Sequence, residues 1–152
     1  MNDKNKSAEF SYYGLYLLKY LKENHPDRAS DTDFIEERAN HAADVYEQSR
    51  LEGATPEGAQ ELAMAALLQE LHFSKYNTVI EVLWNEFADE VPPGDALVFA
   101  LTLLPATEEV FARYPLADGF AYTPEYDLLY TELTGTVAIY LEEHGPEAHT
   151  HA

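Results

Sequence analysis

The chain contains no cysteine. Disulfides, thiolate nucleophiles and Cys-ligated zinc are therefore excluded. Positive charge is nearly absent from the second half. Residues 76–152 carry one basic side chain, Arg113, against fourteen acidic ones, whereas residues 1–75 carry eight Lys or Arg and fourteen Asp or Glu. The halves thus hold −6 and −13 of the formal net charge of −19. Direct binding of nucleic acid is not expected, because nonspecific affinity for a phosphate backbone comes from Lys and Arg displacing counterions.

Long apolar runs are also missing. The longest charge-free stretch, Ala96 to Thr107, is interrupted by Pro105 and falls short of the ~20 residues of a membrane-spanning helix. The opening Met1-Asn2-Asp3-Lys4-Asn5-Lys6 has no apolar segment behind it and does not have the form of a signal peptide. No membrane association and a cytoplasmic location are expected. Strand-like alternation and Asn-Gly or Asp-Gly hairpins between apolar runs are absent, which removes the usual signals of a sheet. No Ser nucleophile elbow, P-loop or dinucleotide glycine fingerprint is present. No catalytic residue, cofactor or metal ligand set is assigned.

What remains is a chain of 152 residues, 46% hydrophobic. That length fits one domain burying roughly 70% of its unfolded surface. Three- and four-residue spacing of apolar side chains dominates. The first helix is predicted over residues 9–24, with Phe10, Tyr13, Leu17, Leu18 and Leu21 on one face. Asp31 caps a second with the stripe Ile35, Ala39, Ala42, Ala43 and Tyr46, ending at Gly53. Thr55-Pro56-Glu57 opens a third with Leu62, Ala63, Ala66, Leu67 and Leu71 as its face, since a capping hydroxyl followed by proline in the first helical position is a helix start. Ser74 caps a fourth through about Asp89, with Tyr76, Ile80, Leu83 and Phe87 in its stripe and Trp84 alongside. A fifth spans Asp95 to Leu104, and Thr107 is placed to cap a short sixth to Arg113. Residues 114–123 form a loop.

The last helix opens with Thr123-Pro124-Glu125 and runs to His144 before Gly145-Pro146. Tyr126, Leu129, Tyr130, Leu133, Val137 and Tyr140 cover one side, and Leu128, Gly135, Ala138 and Ile139 lie opposite. A helix apolar most of the way round is buried on more than one side, so it belongs at the centre of the bundle or in a dimer contact, with another helix close to Gly135. The expected fold is a single all-α domain of five to seven helices over residues 9–145, with the last helix central. Residues 1–8 and 146–152 are expected to be disordered.

Several strings together resemble a known family. They are Leu71-His72-Phe73-Ser74-Lys75-Tyr76 running into Leu83-Trp84-Asn85-Glu86-Phe87-Ala88, then Phe111-Ala112-Arg113-Tyr114-Pro115-Leu116, and Tyr122-Thr123-Pro124-Glu125-Tyr126. Over roughly Phe10 to Gly145 the chain resembles the Bacteroidetes domain-of-unknown-function 1896 family. The resemblance implies a small all-helical protein of Bacteroidetes-type bacteria, often encoded near mobile genetic elements, and supplies no catalytic residue.

Candidate sites follow from residue type and spacing. Tyr12, Tyr16 and Tyr20 fall at four-residue steps beside the first core stripe, and Tyr114, Leu116, Phe120 and Tyr122 make the loop before the last helix aromatic. Tyr is favoured at protein interfaces, so both sets are candidate partner-binding surfaces. Glu81, Glu86, Asp89, Glu90, Asp95, Glu108 and Glu109 are candidates for a single-sign surface that imitates nucleic-acid phosphates, because such a field steers a basic partner. His41, with Glu37 and Asp44 on its side of the helix, and the His144, His149 and His151 end are the weak places for a metal. The leading expectation is a non-enzymatic protein–protein interaction module. An acidic decoy for a basic protein, and a carboxylate/His metal or small-molecule binder, are its alternatives. A homodimer is compatible with the two-sided last helix.

Overall fold

The computed structural model describes residues 10–145. Among them are seven α-helices, three short 3-10 turns and no strand. The helices are α1 (Tyr12–Asn24), α2 (Thr32–Leu51), α3 (Pro56–Leu67), α4 (Lys75–Glu86), α5 (Ala96–Ala106), α6 (Glu108–Phe111) and α7 (Glu125–His144). They group into two compact units, Met1–Leu71 and His72–Ala152.

In the first unit, local chemistry sets the helix starts. Ser11, Asp31 and Thr55 each accept a backbone N–H from the first turn they precede, those of Gly14, Phe34 and Gly58. These bonds satisfy donors that no intrahelical carbonyl can reach. Gly53, with φ of +103°, follows the end of α2 in a conformation that glycine adopts without penalty. The core is Leu17, Leu21, Ile35, Ala42, Ala63, Leu67 and Leu71, with Phe10, Tyr13, Leu18, Tyr20 and Tyr46 packed around it. The inner face of α3 is Ala59, Ala63 and Leu67. Leu62, expected inside, is exposed, as is Ala43 on α2. Alanines buried on both α2 and α3 leave no depth for a leucine one position off the four-residue stripe.

Two long-range ties close this unit. The Arg38 guanidinium donates to the carbonyls of Leu67 at 3.1 Å and Gln69 at 2.8 Å, placing a cation on the negative end of α3. The Leu71 carbonyl accepts from the Tyr20 hydroxyl at 3.1 Å and lies 2.7 Å from Nε2 of the buried His25. That contact fixes the proton on Nε2, since a carbonyl only accepts.

The second unit has its own core, in which Val79, Val82, Leu83, Phe99, Leu103, Phe111, Leu129, Leu133 and Val137 are almost wholly buried. Ser74 caps α4 through the Asn77 N–H at 2.9 Å. The helix stops at Glu86 rather than Asp89: Phe87 leaves helical geometry, with φ of −132°, and its ring is buried in the core. Thr107 does not cap α6. Its hydroxyl donates back to the Leu103 carbonyl at 2.9 Å, finishing α5. Thr123 likewise does not cap α7; it donates to Phe120 O at 2.8 Å and helps to close a 3-10 turn, Phe120–Tyr122, in the segment expected to be a plain loop.

In α7, Leu129, Leu133, Val137 and Leu141 are buried. The opposite side, with Leu128, Gly135, Ala138 and Ile139, is exposed. The helix expected close to Gly135 is not there: nothing lies within 4 Å of the position a Cβ would take.

Candidate functional site

Three surfaces and one cleft hold the candidate residues. The first surface is the outer side of α1. Tyr12, Leu15 and Tyr16 are 62%, 55% and 42% exposed. The Ser11 cap and the Leu17–Leu21 core stripe fix this helix, so the three side chains project from a rigid element. The Tyr12 and Tyr16 rings lie 6.4 Å apart. Beside Tyr16 is a shallow hollow of about 140 Å³ bordered by Tyr16, Lys19, Tyr20 and Glu23. Tyr20 is half-buried, and its hydroxyl is engaged by Leu71. The expected tyrosine stripe is thus two exposed rings and one structural one. Leu15 completes the patch; its one-turn spacing from Tyr12 was the signal available in the sequence.

The aromatic loop of the second unit divides in the opposite sense. Phe120 is buried, meeting Phe73 edge-on at 5.4 Å between ring centres, and Tyr114 and Leu116 pack against the same core. Only Tyr122 stands almost fully in solvent. An apolar ring finds more contact by folding back than by waiting in water.

The acids of this unit are mostly turned outward. Glu81, Glu86, Asp89, Glu90, Glu108 and Glu109 are exposed, and Asp95 is partly buried. Two of them have partners on α7. The Tyr126 hydroxyl donates to Glu81 Oε1 at 2.8 Å and the Tyr130 hydroxyl to Glu86 Oε2 at 3.0 Å. The pairs advance together along both helices, so α4 and α7 run the same way here. Tyr114 donates to Glu132, which also meets Arg113. Burial and the Glu81 carboxylate push the Tyr126 phenol well above its ordinary range. Burial also raises the Tyr130 phenol, with Glu86 adding to it against the hydrogen bond from Asn85, and Tyr114 is raised mainly by its hydrogen bond to Glu132. Among the described residues of this unit the Lys and Arg side chains are Lys75 and Arg113. Both face carboxylates, Glu108 at 3.6 Å and Glu132 respectively.

A cleft of about 210 Å³ opens at the start of α4, between His72, Ser74, Asn77, Thr78, Glu81 and Tyr126. Its polar groups are bonded to one another. Ser74 Oγ accepts from Asn77, Thr78 donates to the Ser74 carbonyl at 2.8 Å, and Glu81 holds Tyr126. His72 Nε2 and Asp118 stand 4.0 Å apart, beyond hydrogen-bonding range. These contacts hold the N-terminus of α4 in place.

His41 sits exposed on α2, as do Glu37 and Asp44. Among the described residues no group of three His, Asp or Glu comes together in a form that would hold a metal ion. His41 thus has no clustered set of metal ligands around it among the described residues. His144 stacks on Tyr140 at 4.3 Å, and His149 and His151 lie outside the described residues. No helix among the described residues is long and apolar enough to cross a membrane.

The third surface is the outer side of α5, which sequence reasoning missed. Leu97, Val98 and Leu101 are 48%, 54% and 45% exposed, while Ala96, Phe99, Ala100 and Leu103 fill the core beneath. Trp84 is half-exposed, and its indole N–H donates to the Pro93 carbonyl at 3.2 Å, at the turn that leads into α5. The available signal was a helix with no charged or strongly polar residue, ALVFALTLLPA, which is apolar on more sides than one core can cover.

The sequence model of a family described as Domain of unknown function (DUF1896) matches residues 5–145. Among solved structures the chain is similar to the crystal structure of protein PG0816 from Porphyromonas gingivalis. Identity is 36%, the TM-score is 0.85, and the match covers 93% of this chain and 95% of that one. No curated protein matches the chain.

Proposed function

The chain belongs to the DUF1896 family, which brings a fold and no assigned activity, and from that premise we propose that it is a non-enzymatic interaction module docking a protein partner through the outer side of α1. The observation that supports this is the patch of Tyr12, Leu15 and Tyr16, more than two-fifths exposed at every member and set on a capped helix. Large aromatic side chains held at low entropic cost beside a hollow are what interface hot spots are built from. The hollow next to Tyr16 gives a partner side chain a place to enter. Of the seven residues expected to bind a partner, this reading keeps Tyr12 and Tyr16, leaves Tyr20, Tyr114, Leu116 and Phe120 in structural roles, and gives no part to the exposed Tyr122.

The test is affinity capture from the native host's lysate with the tagged chain and a Tyr12→Ser/Leu15→Ser/Tyr16→Ser variant. A partner that survives a wash at about 0.5 M salt and is lost with the variant is the expected result. Equal recovery on both baits contradicts the reading.

A second reading, an acidic decoy for a basic protein, is favoured by one specific observation. Both Lys and Arg side chains of the second unit's described residues are matched by carboxylates, while Asp89, Glu90 and Glu109 remain in solvent. A partner held only at low salt goes with that reading, because long-range attraction between exposed charges is what salt screens.

A further inference from the structure

We infer that the outer side of α5 is a second docking surface, and that its partner is a basic amphipathic helix of another protein. The inference goes beyond both readings above. It concerns a different unit from the α1 patch, and it requires apolar contact that a decoy does not.

The face itself is a helix side left uncovered. Leu97, Val98 and Leu101 lie within one turn of each other and are each about half in water. The helix has no charged residue of its own, so the exposed leucines and valine are not screened by neighbours along it. Trp84, the single tryptophan of the chain, is fixed against Pro93 at the approach to this helix. Exposed tryptophan and aliphatic side chains on rigid backbone are the elements of a helix-binding face.

Charge selects the occupant. Asp89 and Glu90 precede α5, and Glu109 follows its end at Thr107, all three exposed, while Glu108 already faces Lys75. A second copy of this chain brings the same sign of charge, at −19 overall, and an anionic lipid surface is repelled for the same reason. A partner that presents leucines to α5 and Lys or Arg to the flanking acids satisfies both. It is a helix rather than a strand, because the described residues contain no sheet edge for a strand to extend.

Trp84 makes the test direct. Its emission is followed while the full chain is titrated with three synthetic peptides of about 14 residues, four helical turns. One is an amphipathic Leu/Lys helix, one a Lys/Gln peptide of equal charge, and one a Leu/Ser peptide without charge. The expected result is a shift of Trp84 emission to shorter wavelength with the Leu/Lys peptide, which binds at least about tenfold more tightly than either control. Leu97→Ser/Leu101→Ser, at exposed positions, weakens it by about tenfold or more, and Val98→Lys does so independently; circular dichroism confirms that both variants keep their helices. Tyr12→Ser/Tyr16→Ser leaves the affinity unchanged. Equal binding of the Leu/Lys and Lys/Gln peptides overturns the inference in favour of a charge-only decoy. Binding that is indifferent to the α5 variants, or sensitive to the α1 variant, overturns it as well. The proposed function, tested at α1 by capture, stands or falls separately.

Discussion

Tyr126 on α7 donates its phenolic hydrogen bond to Glu81 on α4 at 2.8 Å, 45 residues away in sequence. One turn on, Tyr130 repeats the bond with Glu86. The acids in question were candidates for a phosphate-imitating surface. Here two of them also set the register of two packed helices.

This pairing has a consequence at alkaline pH. The Tyr126 phenol is held above its ordinary value of 10.0 by burial and by Glu81. The folded chain therefore keeps a proton that the unfolded chain releases. The associated stability is complete below pH 10 and is lost as pH rises from there toward the folded-state value. Urea unfolding at about pH 9 and about pH 11 should show the midpoint falling, and Tyr126→Phe should flatten that fall. At neutral pH the same substitution should cost about 0.5–1 kcal/mol, the lower part of the hydrogen-bond range, because Glu81 regains water.

Two glycines should respond oppositely to alanine. A Cβ on Gly14 would meet Phe10 Cβ at 2.6 Å, whereas nothing lies within 4 Å of one on Gly135. Gly135→Ala should stabilise the chain by up to about 1 kcal/mol, the helix-propensity difference. Gly14→Ala should destabilise it by about 1 kcal/mol or more, as overpacking exceeds that gain. Thermal melts of the two variants check both signs, and a Gly135→Ala protein less stable than the parent would point to an unseen helix at that face.

The two Thr-Pro-Glu strings give a matched comparison. Thr55 Oγ1 accepts the Gly58 N–H at 3.0 Å, while the Thr123 hydroxyl donates to Phe120 O. Thr55→Ala should cost about 1 kcal/mol, as loss of an N-cap does. Thr123→Ala should cost less, since it ends no orphan donor's bond. Denaturant midpoints measured side by side decide it.

That comparison shows what was legible in the sequence. Ser74 and Thr55 were readable because capping reaches only three residues ahead. The stripes Leu17–Leu21 and Leu129–Leu133–Val137 were readable because period and burial coincide. Thr123 was misleading because an identical string serves a turn when Phe120 is anchored in the core. Arg38 was invisible, since the carbonyls it caps lie 29 and 31 residues away. The α1 patch was half legible. Spacing placed Tyr12, Tyr16 and Tyr20 together, but only the fold decides that Leu71 claims Tyr20 and that Leu15 takes its place outside. The α5 face was hidden by its own composition, because an all-apolar helix gives no hint of which side stays wet.

The most direct test of the docking role is site-specific photocrosslinking in the native host. A benzophenone amino acid replaces Tyr16 in one strain and His41, exposed on the same unit, in another. The account predicts a discrete crosslinked protein from position 16 and none from position 41. No adduct at 16, or the same adducts from both positions, would contradict it.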